Sequence, residues 1–162
     1  MVTAYVALGA NLGDRVATLQ QAIRFIDALP LCSIKKTSSL FTTAPTETLP
    51  GHAPGNDYIN AVVEMETSLP APTLLKHLQQ IELAAGRERP YPNAPRTLDL
   101  DLLLYGSGSI DSARLTVPHR RMWQRAFVLV PLAEIAPGLV TDSRLQAVKD
   151  QKIAVFDDNL GL

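Results

Sequence analysis

Between residues 96 and 106 the chain reads RTLDLDLLLYG. No other stretch limits the fold as strongly. Successive side chains on a β-strand point to opposite faces. In that conformation Asp99 and Asp101 share one face, while Leu98, Leu100, Leu102 and Leu104 share the other. Such a run belongs in a sheet with one face on an apolar core and the other carrying two adjacent carboxylates. Their Cα atoms would lie roughly 6.5–7 Å apart. Like charges that close repel unless a cation neutralises them.

The segments around this strand fix its partners. TAYVALG (3–9) reads as a strand ending at a glycine. Val16, Leu19, Ile23 and Ile26 recur at helical spacing, which predicts an amphipathic helix over 14–29, with Asn11 as its N-cap and Pro30 beyond its end. A strand is expected over 32–41, then a loop over 42–56 that is rich in proline and glycine. DYINAVVEMET (57–67) alternates and predicts a third strand. Leu74, Leu75, Leu78, Ile81 and Ala85 mark a helix over 71–87, followed by a proline- and arginine-rich loop over 87–95. The order β-α-β-β-α-β is the split βαβ of ferredoxin-like folds. The expected class is therefore α+β, with a ferredoxin-like βαββαβ core over 2–106. Residues 114–137 predict a short extended piece and then one or two helices. The tail from Gly138 is weakly patterned.

The 162 residues fit one domain with a sizeable core, and 46% of them are hydrophobic. The formal net charge is −1, which argues against a general nucleic-acid or membrane-surface binder. Cys32 is the only cysteine, so neither an intrachain disulfide nor a cysteine metal cage is available. The N-terminal stretch lacks the basic and apolar regions of a signal peptide, and no run reaches the ~20 apolar residues of a membrane helix. These features predict a soluble, cytoplasmic, single-domain protein with no nucleic-acid or membrane partner; a monomer is expected beside them, not from them.

The charge is unevenly spread. Residues 86–125 hold seven arginines against four acidic residues, a formal +3. Two carboxylates among many arginines suit an anionic ligand that brings hard cations, as Mg²⁺ with a polyphosphate does. Mg²⁺ is commonly held by one or two carboxylates plus phosphate oxygens, and an i, i+2 pair is able to bracket two ions. Arginine forks grip phosphate oxygens bidentately. A D-x-D pair also suits the solvated face of an edge strand, where charge discourages aggregation. No phosphate-binding G-x-x-x-x-G-K-[ST] loop occurs. Tyr58 and Asn60 share a strand face and would suit a flat heterocycle, or simply a half-buried tyrosine with a polar neighbour. GANLGD (9–14) allows close backbone approach to a ligand or forms an ordinary turn and cap. Phe127 reads equally as core, His119 as a turn residue, and Arg120 and Arg121 as a solvated face.

Taken together, VALGANLGD, DYINA, QxxIE before GRxR, APRTLDLDLLLYG and RLTVPHxxMxxRxFVLxPLxEIAP resemble the 6-hydroxymethyl-7,8-dihydropterin pyrophosphokinase family over about residues 3–140. The resemblance implies a ferredoxin-like α+β fold and transfer of pyrophosphate from ATP to the pterin hydroxymethyl group, in folate biosynthesis. It implies two Mg²⁺ ions on Asp99 and Asp101, with ATP and the pterin as the small-molecule partners. By the same match, Arg87 and Arg96 neutralise the triphosphate and Arg89 helps close the site. Gln79, Glu82, Arg114, Thr116, His119 and Arg125 surround the nucleotide. Gly9, Thr43, Tyr58, Asn60 and Phe127 form the pterin pocket. Arg120 stands where the family can carry an aromatic residue, and the 87–95 loop has Tyr91 but no tryptophan. The competing reading is a non-catalytic small-ligand module on the same scaffold. A ferredoxin-like RNA binder would instead need stacking aromatics on a basic sheet.

Overall fold

The structure is a computed structural model that describes residues 1–11, 13–44, 57–86 and 98–157. Of the loop predicted over 42–56, residues 45–56 lie outside the described residues, as do the predicted loop at 87–95 with Arg87 and Arg89, and Arg96; Thr42 and Thr43 belong instead to a strand, because they pair with the strand that follows the loop. Strand β1 (Val2–Ala10) leads to helix α1 (Arg15–Asp27), then β2 (Cys32–Thr37), β3 (Leu40–Thr43) and β4 (Tyr58–Thr67). Helix α2 (Ala71–Ala84) precedes β5 (Asp99–Tyr105). The sheet order is β5-β1-β4-β3, with β2 also on β4, and all pairs are antiparallel. If β2 and β3 count as one interrupted strand, this is the ferredoxin-like arrangement predicted from the element order.

The interruption falls at Ser38. Its backbone N–H donates to Val62 O at 2.9 Å, and its hydroxyl accepts from Val62 N at 2.9 Å. Glu134 accepts from both the N–H and the hydroxyl of Ser39. Side-chain oxygens thus replace ladder partners, and β4 serves β2 with one half and β3 with the other.

Strand β1 is buried from Ala4 to Ala10 because it lies centrally and both faces are covered. On one face Leu19, Ile23 and Ile26 of α1 and Leu74, Leu78 and Ile81 of α2 pack with Val6, Leu8, Leu98, Leu100 and Leu102. Full burial of each such side chain contributes about 1.5–3 kcal/mol. On the other face, helix α3 (Ala126–Ile135) places Val128, Leu129 and Leu132 over Tyr5, Ala7, Val62 and Leu103.

Two expectations need correction. Leu104 does not share a face with Leu98, Leu100 and Leu102. A bulge leaves Leu103 without a partner between the Val6–Leu102 and Tyr5–Leu104 pairs. Leu103 and Leu104 both join the α3-side cluster, and Tyr105 takes the helix-side place. Nor is Asn11 the N-cap of α1. It is 1% exposed, and Asp14 caps the helix by accepting from Ala17 N at 3.1 Å. Gly13, at φ +60°, turns the chain so that Asp14 reaches this position. Asp14→Ala should lower stability by about 1 kcal/mol, read as a lower urea midpoint at unchanged slope.

The C-terminal part adds more than helices. A two-strand ribbon, β6 (Ile110–Asp111) with β7 (Thr116–Val117), brings the chain back to β5. After α3 come a short turn of helix, α4 (Asp142–Ala147) and β8 (Ala154–Asp157), which pairs with β3 and extends the sheet.

Candidate active site

Helix α3 covers only part of its sheet face. Beyond it lies a row of cross-strand neighbours: Asp99 on β5 faces Gly9 on β1, Gly9 faces Asn60 on β4, and Asn60 faces Phe41 on β3. Two pairs further along, past Leu100 and Leu8, Asp101 faces Ala7. The two-residue period that separates the aspartates from the leucine core also puts Asn60 and Tyr58 on the carboxylate side. Tyr58 stands opposite Thr43, and Asn60 Nδ2 donates to Thr43 Oγ1 at 2.8 Å. Four of the five residues matched to a pterin pocket therefore come together in the sheet.

Gly9 explains how they fit. A Cβ there would meet Asn60 Oδ1 at 3.2 Å and Tyr58 Cδ1 at 3.6 Å. The missing side chain leaves the floor of this corner open. Phe127 lies on α3, which packs against the same face of β4, and the Arg125 guanidinium carbon is 5.2 Å from its ring centre.

A cavity of about 500 Å³ opens over the carboxylates, lined by Asp99, Asp101, Arg114, Thr116, His119 and Arg125 among others. The backbone holds His119 in place, since its N–H donates to Leu103 O at 2.9 Å, two residues past Asp101. Its Nδ1 accepts from Arg121 N at 3.2 Å, which assigns the proton of the neutral ring to Nε2. That Nε2 lies 3.8 Å from Asp101 Oδ1. Burial pulls the His119 pKa below its ordinary value, Arg125 and Arg121 add to the fall, and Asp99 opposes it. The ring is therefore biased towards its neutral form.

Arg120 and Arg121 also line the cavity. Both belong to the arginine-rich 86–125 stretch, and of the two readings open to them, cationic cluster or solvated face, their place in the lining favours the first. Gln79 lies exposed on α2. Glu82 is 4% exposed and accepts from Leu100 N at 2.7 Å. Its carboxylate thus holds the backbone between the two aspartates, a contact that spacing did not foretell.

Two carboxylates on an edge strand, a neutral-biased imidazole and several arginines converge on one cavity of a ferredoxin-like α+β sheet. The arrangement has the charge to receive an anionic ligand. A sequence model of the 7,8-dihydro-6-hydroxymethylpterin-pyrophosphokinase family matches residues 5–137. The chain is 46% identical to the 2-amino-4-hydroxy-6-hydroxymethyldihydropteridine pyrophosphokinase of Haemophilus influenzae, over 86% of this chain and 85% of that one. It is 37% identical to the Bacillus subtilis enzyme of the same name, over 98% of this chain and 93% of that one. Among solved structures it resembles an HPPK-DHPS protein in complex with substrates, at TM-score 0.63 and 13% identity, over 91% of this chain and 43% of that one. The wild-type Plasmodium falciparum HPPK-DHPS with pteroate gives TM-score 0.63 at 12% identity, over 82% of this chain and 40% of that one. The chain spans less than half of these longer proteins, and the likeness concerns the fold. The chain belongs to the 7,8-dihydro-6-hydroxymethylpterin-pyrophosphokinase family.

Proposed function

We propose that the cavity over Asp99 and Asp101 is the catalytic centre of a pyrophosphoryl transfer, with the nucleotide on its arginine side and the pterin in the corner at Gly9. The chain is a diphosphokinase of folate biosynthesis, passing pyrophosphate from ATP to 6-hydroxymethyl-7,8-dihydropterin and leaving AMP. The observation that carries the site assignment is the carboxylate pair, set on one strand face and lining the same cavity as Arg114, His119 and Arg125.

The donor set fits Mg²⁺. Among the described residues no group of three or more His, Cys, Asp or Glu side chains forms a complete cage. Two carboxylates with a phosphate chain supplying further oxygens are a usual way to hold this ion. Asp99 and Asp101 would hold two such ions, which when bound lend positive charge to the polyphosphate oxygens.

The chain's own residues do the rest. Arg114 and Arg125 draw the triphosphate to the cavity, and Arg120 and Arg121 extend that cationic wall. Thr116 offers a hydroxyl, and the Nε2–H of neutral-biased His119 is a donor that adds no full charge beside Asp101. Arg87, Arg89 and Arg96 keep the triphosphate roles implied by their sequence match, with Gln79 and Glu82 on the nucleotide side. Tyr58 and Phe127 would sandwich the pterin ring while Asn60 and Thr43 read its polar edge. Phosphoryl-type transfer depends mainly on positioning and charge stabilisation, which such groups supply.

No helix among the described residues is long and apolar enough to cross a membrane. A cytoplasmic monomer acting on two dissolved substrates completes the reading.

The test is AMP formation from ATP and Mg²⁺, with and without the pterin. Pterin-dependent AMP is expected, and ADP or pterin-independent product would overturn the reading. Tyr58→Ala should raise the KM for the pterin about 10–100-fold, in line with an aromatic stacking contact, and leave that for ATP nearly unchanged. Equal losses for both substrates would remove Tyr58 from the pterin pocket.

A further inference from the structure

The family match ends at residue 137, yet the chain beyond it grips the site. Arg125 is the N-cap of α3, in extended conformation at φ −123° and ψ 117°, and its side chain makes no cap hydrogen bond. The first N–H of the helix, at Ala126, would then lack an intrahelical acceptor. Gln151 supplies one: its Oε1 accepts from Ala126 N at 2.8 Å. Its Nε2 donates to Gln124 O, also at 2.8 Å. One side-chain amide thus makes the two bonds that a neighbouring strand would make, and they straddle Arg125.

The segment that carries this amide is itself fixed. Gln151 N donates to Val148 O at 3.0 Å, closing the turn after α4. Val148 is 3% exposed and packs in the α3-side cluster. The Arg144 guanidinium stacks 3.7 Å from the Trp123 ring centre, a second grip on the chain just before Gln124. The side chain held between the two amide bonds, Arg125, reaches the cavity and lies over Phe127.

We propose that Gln151 is a positioning residue: by clipping the backbone on both sides of Arg125, it sets where Arg125 and Phe127 stand relative to the bound substrates. The proposal rests on the reading that these two residues serve the nucleotide and the pterin. Without the clip the first turn of α3 frays, φ and ψ at Arg125 are released, and the guanidinium samples positions off the triphosphate. Misplacement by about 1 Å suffices to cost up to 10²-fold.

The test compares Gln151→Met, which keeps length and loses both bonds, with Gln151→Glu, which keeps an acceptor for Ala126 N–H. Asp27→Ala serves as a structural control, because it removes an acceptor for Ile34 N at the far end of α1. Three quantities are read: amide exchange at Ala126, the KM and kcat for ATP, and the calorimetric Kd of a non-hydrolysable ATP analogue. Gln151→Met should speed exchange at Ala126 and raise KM and Kd about 10-fold, with a smaller change in kcat. Gln151→Glu should restore protection at Ala126 and recover part of the affinity. Asp27→Ala should leave both constants at wild-type values. Unchanged exchange at Ala126, wild-type affinity in Gln151→Met, or an equal affinity loss in Asp27→Ala would each overturn the proposal. Absence of pterin-dependent AMP from the wild-type protein would overturn the reading of function instead, and the analogue Kd would still decide the role of the clip.

Discussion

Asp101→Ala should lower kcat by about 10²–10³-fold, the range seen when one preorganised electrostatic group is removed from an active site. Asp101 lines the cavity and pairs across the strand with the small Ala7, so no neighbouring side chain could take over its charge from that direction. The substitution leaves Asp99 as the sole carboxylate of the strand face and takes the partner at 3.8 Å away from His119 Nε2. The arginines still attract ATP, so KM for ATP should move far less than kcat, the signature of an interaction made mainly in the transition state. Folding should survive, because the partly exposed Asp101 lies on an edge strand whose apolar side chains are untouched. Asp101→Asn separates charge from shape and should lose about as much as alanine. Excess chelator should bring the wild-type enzyme down to the level of the variants. The measurement is AMP release under saturating substrates, with circular dichroism and Tm as folding controls. Turnover within 10-fold of wild type in either variant would remove Asp101 from the metal-binding pair.

How much of this was readable beforehand depended on whether the information was local. The strands and both crossover helices follow from periods of two and 3.6, and their order was enough for the ferredoxin-like core. The carboxylate face was equally local, because Asp99 and Asp101 alternate with leucines. LLLY at 102–105 was a different case. Alternation through three leucines looks the same with or without a bulge, and only pairing with Tyr5 and Val6 reveals the extra residue. Asn11 and Asp14 are both good N-caps, and the positive φ of Gly13 decides between them. Strand β8 lies in a short continuous apolar run, Ile153–Phe156, that shows no alternation, and Val155 and Phe156 are both exposed, so its place in the sheet rests on backbone pairing with β3. In the site, the period showed which residues share a face. The strand register showed that Asp99, Gly9 and Asn60 are neighbours. Contacts such as Glu82 with Leu100 N, or Gln151 with Ala126 N, join distant segments through single side chains and leave no periodic trace.

That register gives the second large effect. Gly9→Val should weaken pterin binding about 100-fold, lower stability by about 1–3 kcal/mol and leave the nucleotide affinity nearly unchanged. Valine suits the backbone of a central strand, so β1 itself has no reason to reject it. The obstruction comes from the face. Its Cβ would stand 3.2 Å from Asn60 Oδ1, and the two methyl groups beyond it would press on the Asn60 amide and the Tyr58 ring. Asn60 is 4% exposed and tied to Thr43 Oγ1, so it has little freedom to yield. That pressure costs the fold about 1–3 kcal/mol; the methyl groups that fill the corner exclude the ring itself, and a 100-fold loss of affinity corresponds to about 2.7 kcal/mol. The arginines that line the cavity stand on other elements than Gly9, Tyr58 and Asn60, which is why ATP affinity should be spared. Gly9→Ala adds only the Cβ, so a shift of a few tenths of an ångström accommodates it and the loss should be well below that of valine. Calorimetric titration with the pterin and with an ATP analogue reads both sides. If Gly9→Val bound the pterin as wild type does, the ring would have to lie elsewhere than over Gly9, Asn60 and Tyr58. If it lost both ligands together with its melting transition, the cost would belong to the sheet and the pocket assignment would fall.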